Sequence, residues 1–132
     1  MKSILVGAAL VLSGCAASPY DNVYSIITTD YKPSEDWHVK PVFVNRVDDE
    51  NSVYHNKHVV RPGLHKVTID LAPIAGFHLP TQQTFELETR PCVRYYVAAR
   101  VVTDITQEWA PMVRYTEPIT ECQAKYKVAA IR

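Results

Sequence analysis

The sequence predicts a small all-β fold, an antiparallel β-sandwich of about seven strands with one disulfide. Apolar and polar residues alternate along several short segments, and turn-forming residues separate those segments. No long stretch repeats with a helical period. Strands at this spacing are typical of a sandwich, and a chain of 132 residues suits one domain with a modest core.

Residues 1–14 have the pattern of a secretory signal. Lys2 provides a positive charge, and the segment Ile4–Leu12 is apolar apart from the small Gly7. This apolar run is about half as long as the ~20 residues that a helix needs to cross a bilayer. It therefore predicts a signal segment and not a membrane span.

The signal is followed by a cysteine in the sequence Leu12-Ser13-Gly14-Cys15, which resembles the lipobox of bacterial lipoproteins. The resemblance implies cleavage before Cys15, a diacylglyceryl thioether on its sulfur and an acyl chain on the new amino group. Two or more acyl chains anchor a protein stably, since each buried methylene contributes about 0.8 kcal/mol. Lipoproteins kept on the inner membrane often carry Asp where this chain has Ala16, so the resemblance implies the outer membrane, facing the periplasm.

The mature chain divides into a lipidated tether, residues 15–22, and a β-sandwich domain, residues 23–132. Small, polar and turn-forming residues predominate in the tether. The strands predicted in the domain are Val23–Thr29, Val39–Val47, His58–Val60, Leu64–Leu71, Thr84–Thr89, Val93–Thr103 and Met112–Thr116.

Alternation with a period of two predicts the inward face of three strands. The inward residues are His65, Val67, Ile69 and Leu71 in the fourth strand, Phe85 and Leu87 in the fifth, and Val93, Tyr95, Val97, Ala99 and Val101 in the sixth. On the opposite face of the sixth strand lie Arg94, Tyr96 and Arg100.

Turn chemistry predicts how the strands connect. Arg61-Pro62-Gly63 suits a type II turn, because proline presets the first central φ and glycine accepts the positive φ of the second. We therefore expect a hairpin between the third and fourth strands. Asp48–Asn51 predicts a second turn, and Pro73–Gln83 predicts an irregular connection between the sheets.

The last part of the chain is predicted to hold an edge strand. Pro111 and Pro118 bracket the strand around Met112, and proline cannot donate a hydrogen bond to a neighbouring strand. Residues 123–132 have no clear period. They predict a weak final strand or a short helix.

A resemblance to known domains rests on the order of these motifs. A Pro-Gly turn precedes His65-x-Val67-x-Ile69, and Tyr95-Tyr96-Val97-Ala98-Ala99 follows later. Over residues 39–103 this order resembles the small immunoglobulin-like or transthyretin-like sandwiches of envelope proteins, including PEGA-type domains. Where such domains often place a glycine turn, this chain has Arg90-Pro91-Cys92.

The three cysteines divide into one anchor and one pair. Lipidation of Cys15 leaves Cys92 and Cys122 in an oxidising compartment, where disulfides persist. Closing a loop of about 31 residues contributes about 3–4 kcal/mol in the chain-entropy model. Two free thiols or a metal pair are the alternative, but the chain lacks the close Cys-x-x-Cys spacing of such sites.

Charge and histidine content argue against several functions. Acidic and basic residues balance at 14 each without a run of like charge, so we expect neither a nucleic-acid partner nor a surface that binds anionic lipid. His55, His58 and His65 form a metal site only if they converge, and positions three apart on a strand face opposite sides. We expect surface histidines, no metal and no cofactor.

His65 is expected to be semi-buried and to hydrogen-bond a loop carbonyl, because it shares a face with apolar residues. A catalytic histidine needs an oriented carboxylate or nucleophile beside it. Asp70 lies on the opposite face of the same strand, and the chain has no Gly-x-Ser-x-Gly elbow. We therefore expect no enzymatic activity.

The outward face of the sixth strand is the candidate partner-binding surface. Its residues are Arg94, Tyr96 and Arg100, and we expect Trp109, Tyr115 and Tyr126 to lie near them. Tyr, Trp and Arg dominate the energetics of protein interfaces. The alternative is that this face is solvated or packs on the second sheet.

These observations predict a non-enzymatic lipoprotein of the outer membrane that binds another envelope protein at the periplasmic face, as an accessory subunit of an envelope assembly. One alternative is an inhibitor of an incoming hydrolase such as lysozyme. Another is a lipoprotein that binds a small ligand or a metal.

Overall fold

The computed structural model describes residues 18–30, 32, 34–51, 56–71, 82–102 and 108–129. Nine strands and two short helices form this part of the chain. The strands are β1 (Ser25–Thr29), β2 (Val39–Lys40), β3 (Val42–Val47), β4 (Glu50–Asn51), β5 (Lys57–Val60), β6 (Gly63–Leu71), β7 (Gln82–Thr89), β8 (Val93–Val101) and β9 (Trp109–Pro118). The helices are a 3₁₀ helix (Pro19–Asp21) and α1 (Thr120–Tyr126).

The strands form a five-stranded and a four-stranded sheet. In the five-stranded sheet, β9 pairs along the whole of β8, so β1 and β2 share the other edge of β8, and β5 lies beyond β1. The four-stranded sheet has the order β4-β3-β6-β7. The predicted β-sandwich is confirmed; among the described strands, every pair is antiparallel except β1 with β8, which is parallel.

The segment predicted as one strand over Val39–Val47 is two strands in different sheets. Val39–Lys40 pairs with β8, and Val42–Val47 pairs with β6. Pro41 separates them, because its ring fixes φ and it has no N–H to donate to a neighbouring strand. The chain therefore passes from one sheet to the other at this residue.

The predicted hairpin at Arg61-Pro62-Gly63 is wrong. β5 pairs with β1, whereas β6 pairs with β3 and β7, so the Arg61-Pro62 segment connects the two sheets. Gly63 is already the first residue of β6, at φ 143°. Because β6 pairs with β3 on one side and with β7 on the other, the backbone hydrogen bonds of β6 are satisfied, and β5 pairs with β1 instead.

The inward faces predicted from alternation form the core between the sheets. Val67, Ile69 and Ala99 are fully buried. The rest of this core consists of Ile27, Val42, Val44, Val47, Leu71, Leu87, Val93, Tyr95, Val97, Val101 and Trp109, with Phe85 packed against it. A second cluster, made of Tyr24, Ile26, Cys92, Ile119 and Cys122, lies apart from this core and includes residues of β1 and α1.

The edge position of β9 is confirmed, but the strand is longer than predicted. β9 includes both Pro111 and Pro118, since an edge strand has one side on which a missing N–H is tolerated. After it, residues 120–126 form a helix and not a strand. The helix ends where Lys127 adopts a left-handed conformation.

Residues 18–22, predicted as part of a free tether, are folded onto the domain. Ser18 and Asp21 form a reciprocal capping box around the 3₁₀ helix. The Lys125 ammonium donates to the Tyr20 carbonyl at 3.1 Å, and the Tyr126 hydroxyl donates to the same oxygen. The predicted signal, Cys15 and residues 73–81 of the predicted irregular connection lie outside the described residues. Gln82 and Gln83, at the end of that predicted connection, already belong to β7.

Candidate functional site

The disulfide predicted between Cys92 and Cys122 is present, with the two Cα atoms 5.3 Å apart. Cys92 has φ 58°, in the left-handed region that favours glycine. Arg90-Pro91-Cys92 thus forms a turn at the place where glycine was expected from the resemblance. The N–H of Cys92 donates to Tyr24 and its carbonyl accepts from Ile119, both at 2.8 Å. Cys92 therefore links β1, β8 and the start of α1.

The outward face of β8 meets the outward face of β9 in a cluster that we name the arginine–tyrosine face. It consists of Arg94, Tyr96, Tyr115, Glu117, Asp30 and Arg114. Arg94 is opposite Glu117 and Tyr96 is opposite Tyr115 in the antiparallel register. Side chains at opposite positions lie close together, and the two tyrosine rings stack with centroids 4.3 Å apart.

Glu117 connects the two strands across this face. Its Oε2 accepts from the Tyr96 hydroxyl at 3.0 Å and from Arg94 Nη1 at 3.4 Å. Burial raises the pKa of the Tyr96 hydroxyl, and the hydrogen bond to Glu117 raises it further. The Tyr96 hydroxyl is therefore a hydrogen-bond donor at neutral pH.

Asp30, which follows β1, holds the second tyrosine of the face. Its Oδ2 accepts from the Tyr115 hydroxyl and lies 3.8 Å from Arg114 Nη1. Arg114 also donates to the Lys32 carbonyl at 3.0 Å. The hydrogen bond to Asp30 raises the pKa of Tyr115 to about 12 and lowers that of Asp30. These contacts hold the side chains of Asp30, Arg114 and Tyr115 in one arrangement.

Arg100 shares the outward face of β8 but lies outside this cluster. Its Nη1 is 3.6 Å from Asp36 Oδ2, at the far end of the strand. Hydrogen bonds to the Asp36 carboxylate lower its pKa; the bond from the backbone N–H of His38 has the largest effect and the bond from the His38 side chain the second largest. Arg100 is therefore paired with the connection between β1 and β2 and not with Arg94 and Tyr96.

Trp109 was predicted to lie on the partner-binding surface, and this prediction is wrong. Its exposed fraction is 8% and it belongs to the core between the sheets. Counting by twos from Tyr115 places Trp109 on the outward face. The register shifts between Tyr96 and Val97, so that Arg114 is an extra residue in β9 with no partner in β8. From this point toward the start of β9, Val113 pairs with the inward Val97, and Trp109 pairs with Val101. A bulge of this kind reverses the faces beyond it.

Two of the other expectations for this face have different outcomes. Tyr115 lies in the cluster, whereas Tyr126 packs against the second cluster from α1. Sequence reasoning missed Asp30, Arg114 and Glu117. The position of Glu117 two residues after Tyr115 is a usable signal, because alternate residues share a face. Asp30 gave no such signal, as it lies 85 residues from Tyr115.

His65 occupies a second polar site, at the side of the sandwich. The prediction that it is semi-buried and bonds a loop carbonyl is confirmed: Nε2 lies 2.5 Å from the Arg61 carbonyl. Nδ1 lies 2.8 Å from Asp48 Oδ2, a carboxylate that sequence reasoning missed. His65 and His58 line the same cavity of about 410 Å³. Burial lowers the pKa of His58.

The metal hypothesis gains no support from this site. His55 lies outside the described residues. Within the segments that the structure describes, no three His, Cys, Asp or Glu side chains are arranged to hold a metal ion.

The pH dependence of stability is expected to reflect Asp48. The hydrogen bond from His65, and next the N–H of Lys66, lower the pKa of this carboxylate. Asp48 therefore stabilises the fold above its unfolded pKa of about 4, and the contribution is lost as pH falls through its lower folded value. Because its side chain is 52% exposed, we expect Asp48→Asn to cost about 1 kcal/mol or less at pH 7.

Urea denaturation of wild type and Asp48→Asn from pH 7 down to pH 2 measures this effect. The difference in unfolding free energy should shrink toward the acid end. Asp49→Asn, in the same turn and exposed, is the control and should show a smaller difference. If the difference in unfolding free energy between wild type and Asp48→Asn stays constant down to pH 2, the pH dependence does not come from Asp48.

Comparisons with known proteins assign no family. No protein-family model, curated protein or solved structure matches the chain. The resemblances to the lipobox and to PEGA-type domains therefore stay predictions. None of the helices in the described residues has the length and apolar content to cross a membrane.

Proposed function

We propose that this chain is a non-enzymatic lipoprotein, anchored through Cys15 to the periplasmic face of the outer membrane, which binds another envelope protein. The arginine–tyrosine face is its docking surface. The observation that carries the proposal is a stacked tyrosine pair flanked by two arginines on one outward sheet surface.

The composition and accessibility of this face support protein binding. Arginine and tyrosine are enriched among the residues that contribute most to interface energies. The side chain of Arg94 is 33% exposed and that of Glu117 47% exposed. The side chains of Asp30 and Arg114 are less exposed, at 10% and 22%. Asp30 and Arg114 thus position the tyrosine rings, whereas Arg94 and Glu117 remain accessible to a partner.

The geometry of His65 supports a role without catalysis. A general base needs a ring nitrogen whose lone pair can take a proton from a substrate. Both nitrogens of His65 lie within hydrogen-bond distance of acceptors, the Asp48 carboxylate and the Arg61 carbonyl. Neither nitrogen is available to a substrate in this arrangement.

Cross-linking in intact cells, followed by purification and mass spectrometry, tests the docking surface. We expect Arg94→Ala to reduce recovery of the cross-linked partner about 30-fold, the loss of affinity that corresponds to a residue worth about 2 kcal/mol at an interface. The melting temperature should stay near the wild-type value, because exposed ion pairs contribute about 0–1 kcal/mol.

Arg46→Ala is the matched control. Arg46 is an exposed arginine on the four-stranded sheet, bonded to Asn51 at 2.9 Å. This variant should recover the partner as wild type does. If Arg94→Ala recovers as much cross-linked partner as wild type, the arginine–tyrosine face is not the docking surface. A wild-type protein that cross-links to no other protein also contradicts the proposal.

A further inference from the structure

At one end of the domain, the segment that precedes β1 packs against α1. The 3₁₀ helix is bonded to α1 through the Tyr20 carbonyl, and the rings of Tyr20 and Tyr24 meet edge to face with centroids 5.0 Å apart. Ser18 is therefore a fixed point on the folded surface. We name this region, made of Ser18, Asn22, Arg61, Arg90, Lys125 and Lys127, the anchor end.

Very little chain separates this fixed point from the proposed lipid. Only Ala16 and Ala17 lie between Cys15 and Ser18. Three Cα-to-Cα steps reach at most about 11 Å. A lipid on Cys15 therefore keeps Ser18 within about this distance of the headgroup region, whatever conformation the connection adopts.

The side chains of the anchor end suit a phosphate-bearing surface. With its amide oxygen turned toward Arg61, Asn22 accepts from Nη2 at 2.9 Å and from Nη1 at 3.2 Å. Both residues line a shallow depression of about 600 Å³ with Val23, Pro62 and Pro91. Arg90, Lys125 and Lys127 are exposed. The acidic residues described near them are Asp21, which accepts from the Ser18 N–H, Glu121, and Glu88 and Glu117, which line a second depression together with Arg90.

We infer that the anchor end lies directly on the phospholipid headgroups, as a second contact with the membrane besides the acyl chains. This inference rests on the proposed lipid anchor. The four cations come from three separate segments of the chain, so the even charge distribution along the sequence does not reveal them. Arg61 and Lys127 meet lipid phosphates, and the depression beside Pro91 faces the bilayer.

The opposite end then points away from the membrane. β8 starts at Val93 beside the anchor end and finishes at Val101, a rise of about 26 Å at ~3.3 Å per residue. The exposed Val102 follows it, and the exposed Trp37 is held nearby because Val101 donates to the His38 carbonyl at 2.7 Å. The arginine–tyrosine face lies between the two ends, accessible from the side.

Spin labels in the lipidated protein test this orientation. The full chain is expressed, purified from membranes and reconstituted in vesicles of phosphatidylethanolamine and phosphatidylglycerol that contain a nickel-chelating lipid. A label at Lys127→Cys should relax at least about tenfold faster than one at Val102→Cys, since paramagnetic relaxation falls steeply with distance. Arg90→Cys provides a second label site at the anchor end if the first variant does not fold.

The outcomes separate this inference from the proposed function. The mass of the N-terminal peptide shows whether Cys15 carries lipid, and an unmodified Cys15 rejects the lipoprotein proposal. A lipidated protein whose labels at 127 and 102 relax at equal rates overturns the inference alone. Faster relaxation at 102 than at 127 overturns it as well.

Discussion

Replacing Cys92 and Cys122 together with alanine is expected to lower the free energy of unfolding by about 3–4 kcal/mol. The disulfide joins residues 30 apart in sequence, and its removal frees this loop in the unfolded chain. The folded state also depends on it, because α1 has seven residues and buries only Cys122. A helix this short is unstable without tertiary contacts. Urea denaturation followed by circular dichroism measures the loss.

The conformation of Cys92 provides a matched control for this experiment. Cys92 has φ 58°, a conformation that is strained for a residue with a Cβ atom. We expect Cys92→Gly combined with Cys122→Ala to recover about 1 kcal/mol relative to the double alanine variant. A double alanine variant as stable as the oxidised wild type contradicts the role given to the disulfide.

Trp109→Ala is expected to cost about 3–5 kcal/mol, the usual loss when a large buried aromatic side chain is removed. Trp109 is 8% exposed and contributes to the core between the sheets. The expected loss comes from the indole ring alone, because the backbone carbonyl that accepts from Gln83 Nε2 at 2.8 Å is unchanged in the variant. Thermal and urea denaturation measure the change.

The chain offers a natural control in its other tryptophan. Trp37 is 52% exposed, and we expect Trp37→Ala to change stability by no more than about 0.5 kcal/mol. A Trp109→Ala variant with wild-type stability and lost partner binding would restore the original assignment of Trp109 to the docking surface.

Local alternation was sufficient to predict which residues of β6, β7 and β8 face inward. The period of two is a property of each strand alone, so Val67, Leu87 and Val97 could be placed without knowing their neighbours. The disulfide was also predictable, because the lipobox resemblance assigns Cys15 to lipidation and so leaves a single possible pair. For the same local reason, Tyr96 was correctly placed outward.

Strand partners and register were not predictable from the same signals. Alternation gives the face of a strand but not the sheet it joins, so β5 and β6 were expected to form a hairpin that they do not form. The bulge at Arg114 reverses the face of Trp109 and has no glycine to mark it. The contact of Asp30 with Tyr115 depends on the parallel pairing of β1 with β8, which brings together distant parts of the chain.

Labelling cells with palmitate tests the central claim, that this domain is held at a membrane through Cys15. We predict that the full-length wild-type protein incorporates the label and sediments with membranes, and that Cys15→Ala incorporates none and appears in the soluble fraction. A wild-type protein that is exported without label and still carries residues 1–14 would contradict the account.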